Sequence, residues 1–131
     1  MNEFKIGMSN EVTATVDDKM TALAVGSGTL EVLATPVVGA LMEKAACELL
    51  QPYLDEGITT VGTMITINHV SASSVGATVT AKAVLTGISG RKYTFDLFAS
   101  DNSGVIATGE HERFSVKSDK FMSKAAAKLQ D

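Results

Sequence analysis

The chain has no tryptophan, two prolines, one cysteine and two histidines among its 131 residues. With Cys47 alone there is no internal disulfide, and two histidines far apart in sequence leave too few ligands for a zinc site. Basic residues are the minority charge: eleven Lys and Arg against fifteen Asp and Glu leave −4 at pH 7. Nucleic-acid binding calls for a basic face, so no nucleic-acid partner is expected. No apolar run is long enough to span a bilayer, and no membrane association is expected. Met1 to Asn10 is polar and mixed, unlike a secretory leader, which makes a cytoplasmic setting the expectation. Gly26-Ser27-Gly28 is no phosphate loop: the third glycine of a dinucleotide fingerprint and the Gly-Lys-Ser/Thr of a Walker loop are both missing.

What is present is enough apolar sequence, 45%, for one domain spanning residues 1–131. The stretch Thr35 to Leu50, TPVVGALMEKAACELL, opens with Thr-Pro, which predicts a helix with Thr35 as N-cap and proline at its first turn. It is apolar on nearly every side, which predicts a buried helix. At roughly 1.5 Å per residue it is about 22 Å long, too short for a membrane span. Pro52 and Gly57 mark its end.

Beyond Ile58 the period changes from helical to alternating. Thr59 to Ile67 is rich in β-branched residues. Ala77 to Leu85 places Ala77, Val79, Ala81, Ala83 and Leu85 on one face, and Tyr93, Phe95, Leu97 and Ala99 alternate likewise. Ser89-Gly90-Arg91 and Asp101-Asn102-Ser103-Gly104 read as tight turns. Val105 to Val116 reads as a long last strand, and Glu11 to Val16 as a short first one. Residues 118–131 form a polar, Ala-rich tail, a short helix or a frayed end. Tight turns predict that strands adjacent in sequence are adjacent in the sheet. The fold class expected is α+β: a curled antiparallel sheet of about five strands wrapped around one central helix. The edge strand Thr59 to Ile67 has few charges to protect it, which predicts pairing with a second copy, a homodimer at least.

Four residues stand out chemically. Glu43 lies in the apolar helix, with Gly39, Leu41, Met42 and Ala46 at neighbouring positions, and its carboxylate must find donors or solvent. His69 ends the first long strand, a position where sites form. Thr35 lies at a helix start, where free N–H groups and partial positive charge suit an oxyanion. Gly62 interrupts the β-branched strand. His111 is flanked by Glu110 and Glu112, but neighbours on a strand point to opposite faces and are not its natural metal co-ligands.

The element order resembles the hotdog fold. More specifically, Ala34-Thr35-Pro36-Val37-Val38-Gly39-Ala40-Leu41-Met42-Glu43, Pro52-Tyr53-Leu54, Gly62-Thr63, His69 and Gly109-Glu110-His111-Glu112-Arg113 resemble the fluoroacetyl-CoA thioesterase-like branch of that fold, from about Leu30 to Val116. The resemblance implies hydrolysis of an acyl-CoA thioester, with Thr35, Glu43 and His69 catalytic and Gly62 contacting the acyl group through its backbone. Arg113 matches a position near the coenzyme A end, and as a strand cation it reads equally as surface. No cofactor is implied beyond coenzyme A as part of the substrate. Members selective for fluoroacetyl groups carry aromatic gating residues before the helix. Thr29-Leu30-Glu31-Val32-Leu33 has none, which implies another short or medium acyl group. On one helix, Thr35 and Glu43 lie about 12 Å apart along the axis. Both reach one histidine only through a bend, a long side chain or a partner chain, so the site is expected at a dimer interface, with a tetramer as a further option. A hotdog dehydratase or hydratase and a non-catalytic acyl-CoA-binding module stand as alternatives.

Overall fold

The computed structural model describes residues 3–129; positions 1, 2, 130 and 131 of the expected domain and tail lie outside the described residues. Strand β1 (Ser9–Thr15) leads through a 3₁₀ turn to a one-turn helix, α1 (Ala22–Val25). The long helix α2 (Thr35–Leu50) follows, then β2 (Ile58–His69), β3 (Thr78–Ser89), β4 (Lys92–Asp101), β5 (Gly104–Lys117) and a terminal helix, α3 (Ser118–Ala127). The strands form one antiparallel sheet in the order β1-β3-β4-β5-β2.

The helix bounds agree with the sequence reading, but its start is built differently. Ala34 is the N-cap and makes no side-chain cap bond, while Thr35 is already helical. The expected capping role therefore does not apply to Thr35, and its hydroxyl is free for another partner. The helix is also less enclosed than its composition predicts. Val38, Met42, Ala45, Ala46, Leu49 and Leu50 are buried against the sheet, whereas Pro36, Ala40, Lys44 and Glu48 form an exposed stripe at i, i+4 spacing. Lys44 and Glu48 pair along that stripe at 3.4 Å.

The alternating faces of β3 and β4 supply the other half of the core: Val79, Ala81, Ala83 and Leu85 meet Tyr93, Phe95 and Leu97 beneath α2. Sequence adjacency holds for β3, β4 and β5, which are joined by tight turns, and fails for β2. The connection 70–77 lacks tight hairpin chemistry and crosses over, so β2 pairs with β5 and β3 with β1. Strands β1 and β2 are the two edges. The 118–127 part of the expected tail is helical.

The β2–β5 contact is tight at Gly109, where a Cβ would collide with the Thr66 carbonyl of the neighbouring strand. Gly109→Ala is expected to cost about 1–3 kcal/mol, the usual penalty for overpacking. A urea titration checks it: the midpoint falls while the slope stays unchanged.

Candidate active site

Helix α2 turns a third stripe, Thr35, Gly39 and Glu43, toward β2. A Cβ on Gly39 would lie 2.8 Å from the Ile67 side chain, so glycine there lets helix and strand approach closely. The two ends of this stripe meet different groups.

At the N-terminal end, Thr35 Oγ1 lies 2.8 Å from His69 Nδ1. The hydroxyl released from capping is used here, bridging the helix start to the end of β2. His69 Nε2 is buried and has no hydrogen-bond partner among the described residues. An orphaned buried nitrogen costs about 1–3 kcal/mol, so it marks a place for a proton, a ligand or another chain. Both residues line a cleft of about 250 Å³ whose other walls include Ala22, Val32, Leu33 and Ala72.

At the other end, Glu43 sits over Gly62. A Cβ at position 62 would lie 2.5 Å from Glu43 Oε2 and 3.1 Å from His111 Cε1. Only a residue without a side chain leaves the carboxylate this position. Arg113 Nη1 stands 3.8 Å from Glu43 Oε2, with the glutamate side chain 43% exposed and that of the arginine 8%. Arg113 is thus turned inward, which excludes the surface reading of this residue. Its Nε donates to Thr60 Oγ1 at 2.9 Å and its Nη2 to the Thr60 carbonyl at 3.0 Å. The register explains the grouping, since Gly62 pairs with Arg113 across the β2–β5 ladder.

His111 completes this cluster. Its Nδ1 is 2.7 Å from the Met64 carbonyl, an acceptor, so Nδ1 carries the proton. Nε2 then accepts from Arg113 Nη1 at 3.2 Å. Burial is the main influence lowering the pKa of His111, and the nearby Arg113 charge lowers it further, against the Met64 bond and the carboxylates of Glu43 and Glu112. The 4.0 Å approach of His111 Nε2 to Glu43 Oε2 is therefore contact with a neutral ring, and the cation facing Glu43 is Arg113.

Within one chain the structure brings Thr35 to His69 and Glu43 to Gly62 and Arg113, as two separate groups. No hydrogen bond or ion pair joins His69 to Glu43 among the described residues. Sequence reasoning weighed His111 only as a metal ligand, gave it no place in the site, and missed Thr60. Alternation along β5 places His111 and Arg113 on one face, a usable signal. Thr60 carried none, because the β2–β5 pairing joins strands distant in sequence.

A curled five-stranded antiparallel sheet around one central helix is the hotdog fold. Matching folds include a thioesterase superfamily member from Thermus thermophilus (TM-score 0.91, 21% identity, 99% of this chain and 96% of that one) and a hot-dog-like protein from Thermanaerovibrio acidaminovorans (TM-score 0.89, 23%, 98% and 95%). The family model described as fluoroacetyl-CoA-specific thioesterase matches residues 16–119. The fluoroacetyl-CoA thioesterase of Streptantibioticus cattleyicolor is 37% identical over 98 residues, 75% of this chain and 70% of that protein. A crystal structure of the fluoroacetyl-CoA thioesterase FlK superposes with a TM-score of 0.93 at 29% identity, covering 97% and 98% of the two chains. The chain belongs to the fluoroacetyl-CoA thioesterase family.

The buried His111 makes stability depend on pH in a definite sense. Its folded-state pKa is below the ordinary 6.5, so the unfolded chain binds the proton first as pH falls. Its contribution is complete above about pH 6.5 and is lost on acidification toward the lower folded value. Urea midpoints at pH 7.5 and 5.5 are expected to fall further apart for the wild type than for His111→Gln.

Proposed function

We propose that this protein is an acyl-CoA thioesterase that hydrolyses a small acyl thioester to free acid and coenzyme A, working as a homodimer paired through the β2 edge. The observation carrying this reading is the division of the site. The Thr35–His69 pair has an orphaned histidine nitrogen, and Glu43 stands partly open over Gly62, with no link between the two in one chain. Antiparallel pairing of two β2 edges would bring the His69 end of one chain toward the Gly62 region of the other. Two sites would then form from two chains.

In this site Gly62 offers backbone to the acyl carbonyl, and Glu43 lies beside it as a carboxylate faced by Arg113. Thr35 Oγ accepts from His69 Nδ1–H, which leaves the Nε2 lone pair free to act as general base. Water loses a proton to that nitrogen and adds to the carbonyl carbon. The C–S bond then breaks, and the proton returns to the leaving thiolate. Arg113 acts through Glu43, holding the carboxylate in place, rather than on coenzyme A directly. The reading calls on no cofactor, and a cytoplasmic setting belongs to it, since acyl-CoA thioesters are metabolites of that compartment. The cleft beside Thr35 presents Ala22, Val32, Leu33 and Ala72 and no phenylalanine, tyrosine or tryptophan, which favours a small aliphatic acyl group over fluoroacetyl.

Free-thiol release across a panel of acyl-CoAs tests the activity. Turnover is expected on short aliphatic members, falling roughly hundredfold or more in both Glu43→Ala and His69→Ala. Release unaffected by either substitution removes the assignment. Mixing the two inactive variants under subunit exchange is expected to restore roughly a quarter of wild-type activity, because half the dimers then hold one intact site; no recovery would place the whole site in one chain. Single-turnover hydrolysis in heavy-oxygen water tests for the covalent route: label enters the Glu43 carboxylate only if Glu43 itself attacks and water then opens the resulting anhydride at the Glu43 carbonyl.

A further inference from the structure

A second cleft, of about 390 Å³, lies where β5 runs into α3 and is lined by Arg91, Lys117, Lys120 and Lys124 with Phe121 among them. No carboxylate lines it. In a chain with a net charge of −4 and eleven cations in all, four converging on one cleft is a marked local excess. None of the four forms an ion pair among the described residues. By contrast, Lys44 and Lys92 are held by Glu48 and Glu112, and Arg113 faces Glu43. Glu56 and Asp119 share an adjoining cleft with Lys117 and Lys120, which leaves Arg91 and Lys124 without a neighbouring acid in either. Phe121, 40% exposed, gives the same cleft an apolar face beside its charges.

We propose that this cleft holds the phosphate-bearing adenosine end of coenzyme A, with the lysines and Arg91 on its phosphates and Phe121 against the adenine ring. This rests on the acyl-CoA reading above and extends it to residues with no part in the chemistry. Three observations carry it. Converging unpaired cations match a ligand with several phosphate charges. An aromatic face among cations suits a base attached to phosphates. The position is also right: Gly62 pairs with Arg113 and Ile58 with Lys117 on one β2–β5 ladder. Four residues at about 3.3 Å each put the cleft roughly 13 Å from Gly62. An extended pantetheine arm separates a thioester from its pyrophosphate by a distance of that order. The acyl group and the phosphates can then occupy the two ends of one run of sheet.

The double variant Lys120→Glu/Lys124→Glu, on the surface of α3 and outside the catalytic groups, tests this beside Phe121→Ala. Calorimetry with free coenzyme A reads binding without any turnover, and circular dichroism checks folding. The charge reversal is expected to weaken coenzyme A binding, and to raise KM for acyl-CoA, about tenfold or more. It should leave kcat, and hydrolysis of the matching N-acetylcysteamine thioester, which has no phosphate, unchanged. Phe121→Ala is expected to raise KM for acyl-CoA and spare the short thioester likewise. Unchanged coenzyme A affinity and KM in the folded charge variant would overturn the assignment. So would an effect confined to acyl groups on an acidic carrier protein, which would make the cleft a protein-docking surface. Coenzyme A binding that depends on these lysines, without thiol release by the wild type, would uphold the cleft and remove the hydrolytic reading alone.

Discussion

The structure depends on one constraint: a helix with two apolar sides must be enclosed by a sheet only five strands wide. Curling β1, β3 and β4 beneath α2 buries Val38, Met42, Ala45, Ala46, Leu49 and Leu50, and the small residues Ala81, Ala83, Ala45 and Ala46 let helix and sheet approach. A Leu or Ile side chain fully withdrawn from water is worth about 1.5–3 kcal/mol, so this contact dominates the fold. The helix is then fixed in rotation as well as in place. Once its buried side faces β3 and β4, the stripe of Thr35, Gly39 and Glu43 has no direction left but β2. The candidate site follows from packing that needs none of its polar groups.

The polar groups in turn depend on Arg113. An arginine whose side chain is only 8% exposed needs both hydrogen-bond acceptors and a counter-charge, or its desolvation goes uncompensated. Thr60 supplies two acceptors and neutral His111 a third. Glu43 is the counter-charge. The neutrality of His111 is itself a consequence of this arrangement, since a second cation beside Arg113 would be repelled and a buried ring resists protonation. The Glu43 carboxylate stands at a defined point above Gly62, faced by Arg113 at 3.8 Å. This explains a carboxylate in a core-facing helix position better than a surface salt bridge does.

Much of this was legible in the sequence where the physics is local. Thr-Pro before the apolar run and Pro52 after it marked the helix, and alternation in Ala77–Leu85 and Tyr93–Ala99 marked the inward faces of β3 and β4. The role of Thr35 was harder, because a threonine before Pro-Val-Val satisfies the N-cap pattern whether or not it caps. Here Ala34 takes the cap position and the hydroxyl goes to His69. Arg113 read as a strand cation because its partners come from α2 and β2, and the β2–β5 pairing leaves no turn signature. The stripe Pro36, Ala40, Lys44 and Glu48 was spread among apolar residues, so the open flank of the helix was hidden in its composition.

Charge placement bears on how such a chain meets a polyanion. With four more acids than bases, its long-range field opposes approach of an acyl-CoA. At physiological ionic strength that field decays over about 8 Å, so the repulsion is largely screened before contact. Within that distance only the local arrangement counts. The cations at the β5–α3 junction then count most, since no carboxylate lines their own cleft. In the proposed site the product acid would have no such handle: once the C–S bond breaks it would be an anion beside the Glu43 carboxylate, with Arg113 already engaged. Binding strength would then be concentrated at the end of the substrate that does not react, and weak retention at the other end would suit release of a small carboxylate.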